Sequence, residues 1–72
     1  MQTYYLMKVK GKAKIPDYIQ LRDEHLTLIG YFRPGRNERL SRIVPDEQHA
    51  AHLMEVIEAM DEYGKIRRVD LS

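Results

Sequence analysis

The chain has 72 residues, no cysteine, twelve basic and eleven acidic residues, and 43% hydrophobic content. That size allows a single domain over 1–72 with a thin core, and the missing cysteines exclude disulfides and thiolate metal sites as its support. A composition this balanced is foldable rather than disordered. No apolar run approaches the roughly 20 residues a bilayer requires, and no secretory leader pattern opens the chain. A cytoplasmic protein with no membrane partner is therefore the expectation.

The net charge of +1 conceals a dipole. Residues 1–44 carry nine basic against four acidic residues, net +5, whereas 45–72 carry three against seven, net −4. Such a distribution steers partners without naming them.

In chain order, the first element is TYYLMKVK (3–10), whose alternation predicts a strand. Tyr5, Met7 and Val9 are expected on its core face, with Tyr4, Leu6, Lys8 and Lys10 opposite. Gly11 and Pro16 punctuate GKAKIP. DYIQLR (17–22) follows as a second strand, with Ile19 and Leu21 opposite Tyr18, Gln20 and Arg22. After a turn at RDEH, LTLIGYFR (26–33) forms a third, with Leu26, Leu28 and Phe32 facing the core and Ile29, Tyr31 and Arg33 facing away.

RPGRNERLSR (33–42) then repeats arginine every third position. A polyproline II segment would align Arg33, Arg36, Arg39 and Arg42 on one side. A short helix capped by Asn37 would bury Leu40, Ile43 and Val44. The preferred reading is a hairpin looped at PGRN, which sets Arg33 across from Glu38 and pairs Tyr31 with Leu40 and Leu28 with Ile43.

VPDEQHAAHLMEVIEAMDEYG (44–64) is the clearest element. Pro45 suits a first helical turn, Asp46 and Glu47 complement the helix dipole, and Ala50, Leu53, Met54, Ile57 and Met60 follow one buried stripe. Gly64 is the expected stop, and KIRRVDL (65–71) reads as a final strand. The fold class is thus α+β: an antiparallel meander of three to four strands, one amphipathic helix packed on one sheet face, and a short C-terminal strand.

The sheet face opposite the helix is the candidate site. Alternation places Tyr4, Leu6, Tyr18, Ile29, Tyr31 and Leu40 there, rimmed by Lys8, Lys10, Arg22, Arg33 and Arg42. Tyrosine and arginine are enriched at protein interfaces and lysine belongs at their rims, so homodimerisation, or contact with another protein, is the expected role. The alternative is single-stranded nucleic acid, with bases stacked on tyrosines and phosphates on the basic rim. A third reading is a weak metal or pH-sensing site at His49 and His52, one helical turn apart and near Glu55, but no HExxH pattern accompanies them. Ser41 and Ser72 sit in no nucleophile setting, and no catalytic, cofactor or metal residue is assigned. A small regulatory binding module, not an enzyme, is expected.

Overall fold

The computed structural model describes residues 2–33, 35 and 37–71. Its elements are β1 (Gln2–Val9), β2 (Tyr18–Arg22), β3 (Leu28–Phe32), α1 (Asn37–Ile43), α2 (Glu47–Ala59) and β4 (Ile66–Leu71). The strands form one antiparallel sheet in the order β3-β2-β1-β4. β1 to β3 are a meander, and the two helices carry the chain across one sheet face to the far edge, where β4 pairs with β1. The α+β class and the C-terminal strand are as the sequence indicates.

The core lies between the helices and that face. Leu6, Ile19, Leu21, Leu40 and Leu53 are fully buried, joined by Tyr4, Phe32, Val44, Ala50, Ile57, Met60, Val69 and Leu71. The expected α2 stripe is present, with Met54 partly buried beside it. Asp46 caps the helix: its Oδ1 accepts the Gln48 and His49 backbone N–H groups at 2.9 and 3.2 Å, satisfying two donors that would otherwise lack partners. Pro45 therefore precedes the cap instead of opening the helix.

Four expectations are corrected. First, β1 has the opposite parity: Tyr4 and Leu6 face the core, while Tyr5, Met7 and Val9 face away with their partners Arg22, Gln20 and Tyr18. Lys8 shares the core side because it lies at the sheet's end. Its ammonium donates to the Met60 carbonyl at 3.1 Å and lies 5.1 Å from the centre of the Tyr63 ring, so the stem is covered while the charge meets polar partners.

Second, residues 37–43 are helical, not the returning arm of a hairpin. In a strand Leu40 and Ile43, three apart, would point to opposite faces. A helix turns both, with Val44, toward the core, and Ile43 Cδ1 lies only 2.2 Å from where a Cβ on Gly30 would stand. Gly30 thus permits α1 to approach β3 closely. The Arg33–Glu38 pairing of the hairpin is lost; Pro34 and Arg36, the expected turn and tip, lie outside the described residues.

Third, β3 begins at Leu28 rather than Leu26. Asp23 Oδ1 accepts the His25 and Thr27 N–H groups at 2.9 and 3.0 Å, holding a turn in which Leu26 has φ 65°. A bulge follows: Leu21 pairs with Gly30 but Arg22 with Leu28, leaving Ile29 as the extra residue. The slip moves Leu28 from the core face to the open one.

Fourth, α2 ends at Ala59, with Met60 extended at the C-cap. Asp61 and Glu62 would crowd the negative end of a longer helix, whereas Lys8 supplies the cation that end favours. Gly64 has φ 76° in the turn beyond, where its N–H donates to the Lys8 carbonyl.

Candidate binding surface

Cross-strand partners share a sheet face, so the register maps the side left uncovered by the helices. One row runs Leu28, Arg22, Tyr5, Arg68; the next runs Tyr31, Gln20, Met7, Ile66; Tyr18 and Val9 lie below, Thr3 and Asp70 above. The middle row crosses all four strands. Ile66 and Tyr31 are 53% and 57% exposed, Leu28 43%. A solvated antiparallel face ordinarily carries polar side chains; this one is largely apolar and aromatic.

Its polar groups are tied to one another. Arg22 donates to Gln20 Oε1 at 3.0 Å and to the Leu26 carbonyl at 2.9 Å. Asp70 Oδ1 accepts from Thr3 Oγ1 at 2.8 Å and from Arg68 Nε at 3.0 Å, and these two donors hold the Asp70 carboxyl below its ordinary range. The β1–β4 half is consequently close to neutral.

The β3 half is not. A cleft of about 930 Å³ opens along that edge. Ile15 and Pro16 wall one side, Tyr18, Gln20, Leu28, Tyr31 and Phe32 form the sheet side, and Arg33, Glu38, Arg39 and Arg42 close the third. Arg39 and Arg42 are one helical turn apart on α1, which is why they converge with Arg33 at the end of β3. Tyr18 and Tyr31 meet edge to face, with ring centres 6.1 Å apart. Arg39 Nη1 points toward the Tyr31 carbonyl at 3.4 Å.

A polar clasp supports the loop before β2. Asp17 Oδ1 accepts from the Gly11 N–H at 2.8 Å and its Oδ2 from the Tyr63 hydroxyl at 2.9 Å. The Gly11 N–H, then the Tyr63 hydroxyl, hold the Asp17 carboxyl below its ordinary range, helped by Lys10 and Lys8 against a smaller desolvation. The same bond raises the Tyr63 hydroxyl.

The expected site residues divide accordingly. Tyr18, Tyr31, Arg33 and Arg42 come together at the β3 cleft. Ile29 is exposed at the bulge, and Lys10 is exposed beyond the end of β1. Tyr4, Leu6 and Leu40 are core residues, and Lys8 lies on the helix side; none belongs to the open face. Burial raises the Tyr4 hydroxyl, which donates to Gln2 Oε1. Sequence reasoning missed Tyr5, Met7, Val9, Leu28, Ile66 and Arg39 as surface-forming residues. The i, i+3 spacing of Arg39 and Arg42 was the available signal once residues 37–43 were read as helix.

His49 is largely covered, with Nε2 3.9 Å from Asp46 Oδ2, while His52 is exposed. Among the described residues no three His, Cys, Asp or Glu side chains gather closely enough to hold a metal ion, and no helix is long and apolar enough to cross a membrane. No protein-family model matches the chain, and no curated protein or solved structure shows significant similarity to it.

Proposed function

We propose that this domain is a non-enzymatic, regulatory protein-binding module that self-associates through its uncovered sheet face. The observation that carries the reading is the row Tyr31–Gln20–Met7–Ile66, which crosses every strand on the side without helices. Four strands at about 4.8 Å spacing and five residues at about 3.3 Å make a face of roughly 300 Å², shared between its apolar side chains and the paired polar groups Gln20–Arg22 and Arg68–Asp70. Two such faces make an interface smaller than those of stable complexes, so the self-association is expected to be weak.

Charge selects the arrangement. A two-fold contact sets each patch against itself. Centred on the β2–β3 half, it would bring Arg33, Arg39 and Arg42 toward their own copies, a like-charge juxtaposition that costs several kcal/mol. Centred on Met7 and Ile66, it packs a near-neutral surface and leaves the arginines outside. Another protein presenting an apolar face could dock on the same half.

Sedimentation equilibrium across a broad micromolar range tests this. The parent chain is expected to shift from monomer to dimer with concentration, and Ile66→Glu to remain monomeric with an unchanged circular dichroism spectrum. A parent that stays monomeric throughout, or an Ile66→Glu variant that dimerises equally well, refutes the reading.

A further inference from the structure

We infer that the cleft beside β3 is a second site, which shares Tyr31 and Gln20 with the self-association row but is centred on the arginines at the β3 edge, and that it takes single-stranded nucleic acid. Two requirements of such a site are rings on which bases can stack and cations that hold the backbone. Both converge here from three separate elements. Tyr31 exposes 57% of its surface and is buttressed edge-on by Tyr18 from the neighbouring strand, which fixes the ring while leaving it accessible. Arg33, Arg39 and Arg42 line the same cleft with Glu38 as the one carboxylate among its described lining residues. Among the described residues none of the three arginines is in an ion pair.

An acidic peptide is the rival occupant, and the edge itself argues against it. A peptide adding to β3 as a strand would need the outward carbonyls of that strand. The Arg39 guanidinium already sits over the Tyr31 carbonyl, an edge protection of the kind that blocks strand addition. Guanidinium groups match phosphate and carboxylate alike in a planar, two-pronged geometry, so it is the exposed Tyr31 ring beside them, on which a base can stack, that favours nucleic acid. A duplex is disfavoured because its bases are already stacked and cannot reach Tyr31. The site does not depend on self-association: the arginines lie outside the Met7–Ile66 contact, and a monomeric Ile66→Glu chain should retain it.

The test is fluorescence anisotropy with a labelled mixed-sequence single-stranded oligonucleotide at several salt concentrations, beside the matching duplex and a poly-glutamate peptide. The single strand is expected to bind tightest. The double variant Arg33→Gln/Arg42→Gln should weaken it at least tenfold and flatten the slope of log affinity against log salt by about 1.4, two single-strand phosphate contacts' worth. Lys65→Gln/Arg67→Gln removes equal charge from the opposite edge and should change affinity less than about twofold, since charge far from the bound backbone is screened. Tyr31→Ala should cost about five- to a hundredfold, and Tyr31→Phe, which keeps the ring, should restore it. Absence of binding at low salt, equal losses from the two charge pairs, or tighter binding of poly-glutamate would each overturn the assignment. Loss of dimerisation without loss of oligonucleotide binding would strike only the self-association proposal.

Discussion

The parity of β1 can be tested by two neighbouring truncations, Leu6→Ala and Met7→Ala. Leu6 is wholly buried between Leu21 and β4; Met7 is half-buried on the open face. Removing a leucine from a closed core costs about 2–5 kcal/mol. At roughly 0.05–0.15 kcal/mol per residue, a 72-residue domain has about 4–11 kcal/mol in total. Leu6→Ala thus removes a large share of the stability and should lower Tm by more than about 10 °C, if the chain folds at all. Met7→Ala leaves no enclosed cavity and should cost under about 1 kcal/mol. Urea titrations followed by circular dichroism, at a protein concentration too low for the proposed self-association, give both values with their slopes. Any contribution of Met7 to self-association then appears only as the concentration is raised. Equal costs, or a larger cost for Met7→Ala, would refute the assignment of Leu6 to the core.

Two further expectations concern the loop before β2. A Cβ on Gly11 would stand 1.9 Å from the Ile15 carbonyl oxygen and 2.5 Å from the Pro16 carbonyl carbon. These are backbone atoms that cannot rotate aside, so Gly11→Ala should destabilise by about 1–3 kcal/mol or more, measured as a fall in the urea midpoint. The Asp17 clasp should show in the pH dependence of Tm. Because its folded carboxyl titrates below the ordinary value, the stabilisation is present above about pH 4 and lost as the pH falls through the folded value. The raised Tyr63 hydroxyl sets the alkaline limit, with stability lost as the pH rises beyond about 10. Asp17→Asn should therefore melt below the parent at neutral pH and converge with it in strong acid; a gap independent of pH would show that the carboxylate is not what matters.

The parts of the fold legible in the sequence are those where one period had no competitor. In α2 the spacing of Ala50, Leu53, Ile57 and Met60 fits a helix and nothing else, and Ile19 and Leu21 alternate with polar neighbours. β1 is different: both parities are apolar, and the lysines at 8 and 10 make the even side look solvated. Tertiary contacts decided it, since Met60 and Tyr63, more than fifty residues away, give Lys8 a place on the core side. The bulge at Ile29 was likewise illegible, because one unpaired residue reverses every face assignment on its N-terminal side. Residues 37–43 offered two periods at once. The turn signal of Pro34-Gly35 pointed to a hairpin, whereas burying Leu40, Ile43 and Val44 together required the helix.

These differences between sequence pattern and structure bear unequally on the surface. The inverted parity of β1 exchanges Tyr4 and Leu6 for Tyr5 and Met7, so the open face stays apolar whichever set is chosen. Helix α1 has a larger consequence. A hairpin would have sent Arg39 to the face opposite Arg33 and Arg42; the helix returns it to their side of the β3 edge. Arg33 directly follows the last residue of β3, and Arg39 and Arg42 lie one turn apart on α1; that junction is what concentrates positive charge beside Tyr31. The same concentration makes this half of the sheet a poor surface for meeting its own copy, which is why the proposed self-association is expected to centre on Met7 and Ile66 instead.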